Sequence, residues 1–202
     1  MKRLTEKGFT MTELAIATTI TLLFALSLYA VFYGLHNQLK KQNVYYETGR
    51  SARHSLDRIS KDVKEAVQIV SSWGGNSTSD TSLVLKLPSI NSNGEATDVS
   101  SQFDYVTYKL DSADTTHLVR SLDILGGTSA REGGADQTNQ IVGRNVQTIL
   151  FSSNGTGLSS FSSSALQGLK SINVAVTTQR QTVGTTQTTQ LDSDLMLRNQ
   201  LI

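Results

Sequence analysis

The sequence contains no cysteine, and this absence excludes disulfide bonds, thiolate metal sites and a cysteine nucleophile. Proline is nearly absent as well: Pro88 is the single one in 202 residues, which excludes a rigid proline-rich linker. An excess of charge of one sign is also missing, because 18 Lys and Arg side chains balance 17 Asp and Glu side chains. The overall charge therefore favours neither a nucleic-acid-binding protein nor a protein that captures acidic ligands.

One long apolar run lies near the N-terminus. From Leu14 to Leu35 no residue is charged, and about 20 such residues suffice for a helix that crosses a bilayer. Three basic residues precede the run within residues 1–8, and no small-residue cleavage site follows it before the polar stretch that begins at Asn37. We interpret residues 9–36 as a retained membrane anchor, with its N-terminus in the cytoplasm and the rest of the chain outside it.

A second helical pattern follows over residues 37–72. Apolar residues recur every three or four positions from Ala52 to Val70, which places them on one face of a helix. The helix is predicted to stop at Trp73-Gly74-Gly75-Asn76, a strong turn signal. The charged residues of this segment are predicted to lie on its solvated face: Arg53, Asp57, Arg58, Lys61, Asp62, Lys64 and Glu65.

After residue 80 the apolar period changes from helical to two, which predicts β-strands. The predicted strands are 83–87, 103–110, 117–122, 146–152, 170–178 and 185–198. The second and third form a predicted hairpin, and residues 126–140 and 152–164 are predicted to be loops. No long helix separates these strands, so the fold class is α+β: a long N-terminal helix on an antiparallel β-sheet head of residues 73–202.

The residues around the start of the apolar run read Lys7-Gly8-Phe9-Thr10-Met11-Thr12-Glu13-Leu14. This stretch resembles the N-terminal processing signal of type IV pilins and of the pseudopilins of type II secretion. The resemblance is close as far as Leu35, although Thr12 occupies a place that is more often aliphatic. It implies that a membrane peptidase cuts after Gly8 and removes a leader of residues 1–8. It also implies that the new amine of Phe9 is methylated and that Glu13 takes part in subunit assembly.

Glu13 is the single acid at the edge of the apolar run. A carboxylate at the edge of a membrane helix costs a few kcal/mol unless a cation or hydrogen-bond donor pairs with it, and the sequence offers no such partner nearby. The resemblance implies that the partner is the Phe9 amine of a neighbouring subunit. Such a pair would select the stagger between subunits, because removing one partner leaves an unpaired charge.

Two departures from common major pilins bear on the type of subunit. Many major pilins carry a proline within the hydrophobic helix and a disulfide near the C-terminus, whereas this chain has no proline between Phe9 and Ser71 and no cysteine. These features resemble a minor pilin or minor pseudopilin. Short matches at 108–111, 117–120 and 197–199 resemble, more loosely, the J-type pseudopilins and W-type minor pilins.

We therefore expect a structural subunit that initiates or caps a short filament, with no enzymatic activity and no cofactor. The resemblance implies four kinds of partner: other pilin or pseudopilin subunits, the prepilin peptidase and methyltransferase, an inner-membrane assembly platform, and the bilayer before assembly. The location implied is the bacterial cytoplasmic membrane and then the pilus or pseudopilus. The alternative is a signal-anchored extracytoplasmic binding module that never joins a filament.

Other kinds of site find weaker support in the sequence. The three histidines, His36, His54 and His117, lack metal-ligand spacing and are expected to be solvated. The closest acid pairs for calcium are Asp111 with Asp114 and Asp192 with Asp194, but no calcium-binding loop motif is present, so no metal site is expected. Basic residues between 40 and 64 alternate with acids, which argues against a specific nucleic-acid surface.

Overall fold

The computed structural model describes residues 10–96, 102–124, 129–182 and 184–197. These residues form one long helix followed by antiparallel β-sheets, so the predicted α+β class is confirmed. The chain divides into two compact units, one up to Asn43 and one from Val44 onward. Helix α1, Met11–Glu65, includes residues of both units, and all the described strands belong to the second unit.

Eleven strands are present in the described part of the second unit. The strands are β1 Gln68–Ile69, β2 Ser72–Trp73, β3 Asn76–Ser77, β4 Leu83–Pro88, β5 Phe103–Leu110, β6 Leu118–Ile124, β7 Gln137–Gly143, β8 Val146–Ser153, β9 Thr156–Gly157, β10 Ser171–Thr182 and β11 Thr185–Met196. A five-stranded sheet has the order β1-β4-β5-β6-β7, a four-stranded sheet has the order β11-β10-β8-β9, and β2 pairs with β3 alone. Short 3₁₀ helices at Arg131–Gly133 and Leu158–Ser160 and helix α2, Ser163–Gln167, lie between strands.

One core joins the second half of α1 to both large sheets. Ala52, Ile59 and Val63 of the helix are fully buried, and they belong to a single apolar cluster with side chains such as Leu85 of the five-stranded sheet and Val176 of the four-stranded sheet. The apolar stripe read from the sequence is therefore the buried face of α1. The sequence pattern predicted one sheet under this stripe, and the structure has two.

The end of α1 differs from the prediction. The helix stops at Glu65 rather than near Ser71, because the next residues pair with β4: the Val67 N–H donates to the Lys86 carbonyl and the Val70 N–H donates to the Val84 carbonyl. β-branched residues at this point suit an extended strand at least as well as a helix. The turn signal Gly74-Gly75 instead closes the β2–β3 hairpin, where both glycines have positive φ as a tight hairpin turn requires.

All six predicted strands are present. The β5–β6 hairpin forms in the expected place, and β4, β8, β10 and β11 each begin within one residue of the prediction. The prediction of a loop over residues 126–140 was wrong at its end, because β7 begins at Gln137. Residues 137–141 of this edge strand are not buried, so their sequence lacks the alternation that marks a half-buried strand.

Asp80 connects the loop after β3 to the four-stranded sheet. Its Oδ1 accepts a hydrogen bond of 2.8 Å from the Ser159 N–H, and its carbonyl accepts one of 2.7 Å from the Phe151 N–H. Gly157 leaves the space that the carboxylate occupies, since a Cβ at this position would collide with it. The loop and the sheet are thus joined through one acid.

We expect Asp80 to make stability depend on acid pH. The Ser159 N–H lowers the pKa of this carboxyl below its usual value, so the folded state favours the ionised form. The stabilisation is complete above the unfolded pKa of about 4 and is lost as the pH falls through the lower folded pKa. Unfolding midpoints of the wild type and of Asp80→Asn, measured from about pH 6 to about pH 2.5, should differ most at the upper end. A constant difference across this range would contradict the prediction.

Candidate functional site

The first part of α1 is apolar on all sides and exposed throughout. Every residue from Met11 to His36 is exposed, and Phe24 and Phe32 each retain 70% of their accessible surface. A helix that is apolar all round needs lipid or other protein around it, because so much apolar surface is unstable in water. Among the described residues, α1 is the one helix long and apolar enough to cross a membrane.

The threonine and serine hydroxyl groups within this apolar segment are satisfied by the helix itself. Thr18 and Thr19 both donate to the Ala15 carbonyl, Thr21 donates to the carbonyl of Ala17, and Ser27 donates to the carbonyl of Phe24. A hydroxyl bonded to its own backbone needs no water, so it does not oppose burial in lipid. The scattered Thr and Ser residues are therefore compatible with a membrane-spanning segment.

Glu13 closes the N-terminal end of α1. Its Oε2 accepts hydrogen bonds from the Thr10 N–H at 3.0 Å and from the Thr10 hydroxyl at 2.9 Å. In return, the Glu13 N–H donates to Thr10 Oγ1 at 3.3 Å. This reciprocal pair is a capping box, which satisfies backbone donors that a helix start leaves free. Glu13 forms no ion pair with any residue that the structure describes.

The expectation that the chain offers Glu13 no nearby partner was therefore wrong for hydrogen bonds. The signal was present in the sequence as Thr10-Met11-Thr12-Glu13, the spacing of a capping box. Gly8 and Phe9 lie outside the described residues, so cleavage after Gly8 and methylation of Phe9 stay predictions. The assembly role of Glu13 stays a prediction as well.

The histidines and acids considered as metal ligands are exposed or make other contacts in the structure. His36 and His54 are exposed, whereas His117 is partly buried with its Nδ1 3.4 Å from Asp114 Oδ2. Asp111 and Asp114 accept hydrogen bonds from backbone N–H groups two residues further on, so both shape the β5–β6 turn. No three His, Asp or Glu side chains of the described chain are placed to hold a metal ion.

A cluster of buried charges joins α1 to the five-stranded sheet. Arg120 of β6 is fully buried, and its Nε donates to Asp62 Oδ2 at 2.6 Å while its NH1 donates to Glu132 Oε2 at 2.9 Å. The Tyr108 hydroxyl also donates to Asp62 Oδ2, at 2.6 Å, and Arg58 pairs with Glu132. Burial raises the pKa of Tyr108 far above its usual value, and the Asp62 carboxylate adds to the effect. We call these five residues the Asp62 cluster.

A second charge cluster lies at the end of the same helix. Arg131 NH1 donates to Glu65 Oε2 at 2.6 Å, and its Nε donates to Asp104 Oδ2 at 3.0 Å. Asp104 is fully buried and also accepts hydrogen bonds from Ser89 and Ser129. The last turn of α1 is thereby fixed to the loop that precedes β7.

These clusters correct the prediction that Arg58, Asp62 and Glu65 lie on a solvated face. Asp62 retains 2% of its accessible surface, because it sits at the margin of the apolar stripe where the sheet covers it. One signal pointed to such a partner: Arg120 interrupts the apolar strand 118–122, and a buried arginine requires an acid. Its partner on α1 was not visible in the sequence, since the two residues are 58 positions apart.

Comparison of the chain with protein-family models, with curated proteins and with solved structures found no match.

Proposed function

We propose that this chain is a minor subunit of a type IV pilus or of a type II secretion pseudopilus. In this proposal residues 1–8 are removed, Phe9 becomes the methylated first residue, and the helix leaves the bilayer to pack in the filament core. The head stays on the outer side of the membrane and takes part in initiation or tip assembly. The role is structural rather than catalytic.

The observation that carries the proposal is the helical segment Leu14–Leu35, which is apolar and exposed on all sides and directly follows the acid Glu13. Lipid satisfies its apolar surface, and so does a ring of similar helices. The motif around Gly8 and Phe9 supports the second environment, because cleavage there would create an ammonium group close to where carboxylates of neighbouring helices would lie. A filament subunit uses both environments in turn.

The capping box favours a second candidate, a signal-anchored extracytoplasmic binding module. Thr10 gives Glu13 a role within its own helix, so a plain anchor explains this acid without a neighbouring subunit. An anchored module does not explain why Gly8 and Phe9 match a cleavage site. The two candidates differ in the fate of the first eight residues.

The N-terminus of the mature protein separates the two candidates. We expect intact-mass and peptide mass spectrometry of protein purified from its own membranes to find a chain that begins with methylated Phe9. Gly8→Val should keep the leader, because the peptidase would meet a bulky residue at the site of cleavage. Wild-type protein that still begins with Met1, isolated from cells with an active prepilin peptidase, would refute the filament proposal and leave the anchored module.

A further inference from the structure

A groove of about 760 Å³ lies in the second unit, beside the exposed flank of α1. One wall is formed by α1 residues between 47 and 54 that lie on one face of the helix, because the lining side chains are three or four positions apart. The opposite wall is residues 141–145, the end of β7 and the turn into β8. Arg180 of β10 and His117 also line it.

The lining of this groove carries an excess of positive charge. Three guanidinium groups line it, those of Arg50, Arg144 and Arg180, whereas Glu47 is the one carboxylate and is paired with Arg180. Within the described chain, Arg50 and Arg144 form no ion pair. Both arginines are exposed, so each is able to form charge-assisted hydrogen bonds with a carboxylate of a ligand in the groove.

The arginine wall is held in place by the helix. The Ser51 hydroxyl donates to the Arg144 carbonyl at 2.6 Å and accepts from the Arg144 N–H at 2.9 Å. The Ser55 hydroxyl donates to the Val142 carbonyl at 3.3 Å. Gly143 permits this close approach, because a Cβ there would collide with the Ser55 hydroxyl. The backbone that carries Arg144 is therefore positioned before any ligand arrives.

The surroundings of the groove favour a polypeptide over a nucleic acid. Strand β7 is the last strand of its sheet, with β6 on one side and no described strand on the other. Ser55 already occupies the Val142 carbonyl, so an added strand would pair along the outer edge of residues 137–141. Ile141, with 43% of its surface exposed, adds an apolar contact. Among the described residues no Phe, Tyr or Trp lines the groove, so it lacks the large stacking surfaces that single-stranded nucleic acids use.

We propose that this groove binds an extended acidic segment of another polypeptide. The segment adds along β7 and places carboxylates against the guanidinium groups of Arg50 and Arg144. The inference concerns the second unit alone, so it holds for a filament subunit and for an anchored module alike. Failure of the filament proposal would leave it standing.

The test uses the full chain in detergent micelles and a fluorescent oligopeptide of alternating Glu and Thr. Fluorescence anisotropy should show saturable binding that weakens between about 0.05 M and about 0.5 M salt. The double variant Arg50→Gln, Arg144→Gln should weaken binding about tenfold or more, since it removes two charge-assisted contacts. The matched control is Arg53→Gln, an exposed arginine of the same helix outside the groove, which should leave affinity unchanged.

Two further probes test the kind of ligand. The same peptide N-methylated at alternate backbone nitrogens, in each of the two registers, should bind more weakly in at least one register, because it cannot complete a strand pairing. Inorganic phosphate and a single-stranded oligonucleotide of similar charge should compete poorly. The proposal is overturned by no saturable peptide binding, by equal weakening in Arg53→Gln, or by tighter binding of the phosphate probes than of the peptide.

Discussion

Asp62→Ala should lower the free energy of unfolding by about 3–5 kcal/mol, because it leaves the fully buried Arg120 without its closest anion. The same change removes the closer acceptor of the Tyr108 hydroxyl and leaves it the Arg58 carbonyl at 3.3 Å. Thermal unfolding of the full chain in detergent, followed by circular dichroism, should show a melting temperature lower by roughly 6–20 °C. The effect is large because the buried Arg120 Nε loses its carboxylate and the guanidinium keeps only the partly exposed Glu132 as an anion, so its charge in the core is incompletely compensated.

The control for this variant is Asp57, which lies five residues earlier on the same helix. Asp57 is exposed, so Asp57→Ala should change stability by no more than about 0.5 kcal/mol. A second comparison replaces both partners, Asp62→Leu with Arg120→Met, and should recover much of the lost stability because no charge is left buried. Equal melting temperatures for Asp62→Ala and Asp57→Ala would show that the buried pair does not hold the helix to the sheet.

The second large effect is expected at Glu13, and three variants separate its capping contacts from its proposed role in subunit assembly. Glu13→Gln keeps a side-chain oxygen for the capping box but removes the charge, whereas Thr10→Ala removes the threonine hydroxyl from the cap and keeps the charge. Glu13→Ala removes both. If Glu13 pairs with the amine of a neighbouring subunit, Glu13→Gln and Glu13→Ala should both reduce incorporation about tenfold or more, a cost of at least about 1.4 kcal/mol.

Incorporation is measured by site-specific crosslinking and co-purification with the assembled filament, and membrane insertion is measured in parallel. We expect all three variants to insert normally, because the apolar segment Leu14–Leu35 is unchanged. Thr10→Ala should assemble close to the wild-type level, since losing part of one cap costs about 1 kcal/mol. Normal assembly of Glu13→Gln together with a defect in Thr10→Ala would assign Glu13 to capping alone.

The two halves of α1 show why some features were predictable. The apolar run of residues 14–35 and the stripe through Ala52, Ile59 and Val63 depend on local periodicity, which a single sequence displays directly. The β5–β6 hairpin was predictable for the same reason, because its strands alternate and are close in sequence. The edge strand β7 was missed because an exposed strand carries no apolar pattern.

The order of residues along this chain was enough to predict an apolar anchor, an amphipathic continuation and a β-rich head, since each follows from patterns within about 20 residues. Folding decided the rest. The pairings of Asp62 with Arg120 and of Ser51 with Arg144 join residues 58 and 93 positions apart, and neither can be read from local spacing. The end of α1 at Glu65 also depends on tertiary structure, because pairing with β4 overrides a helical pattern that continues in the sequence.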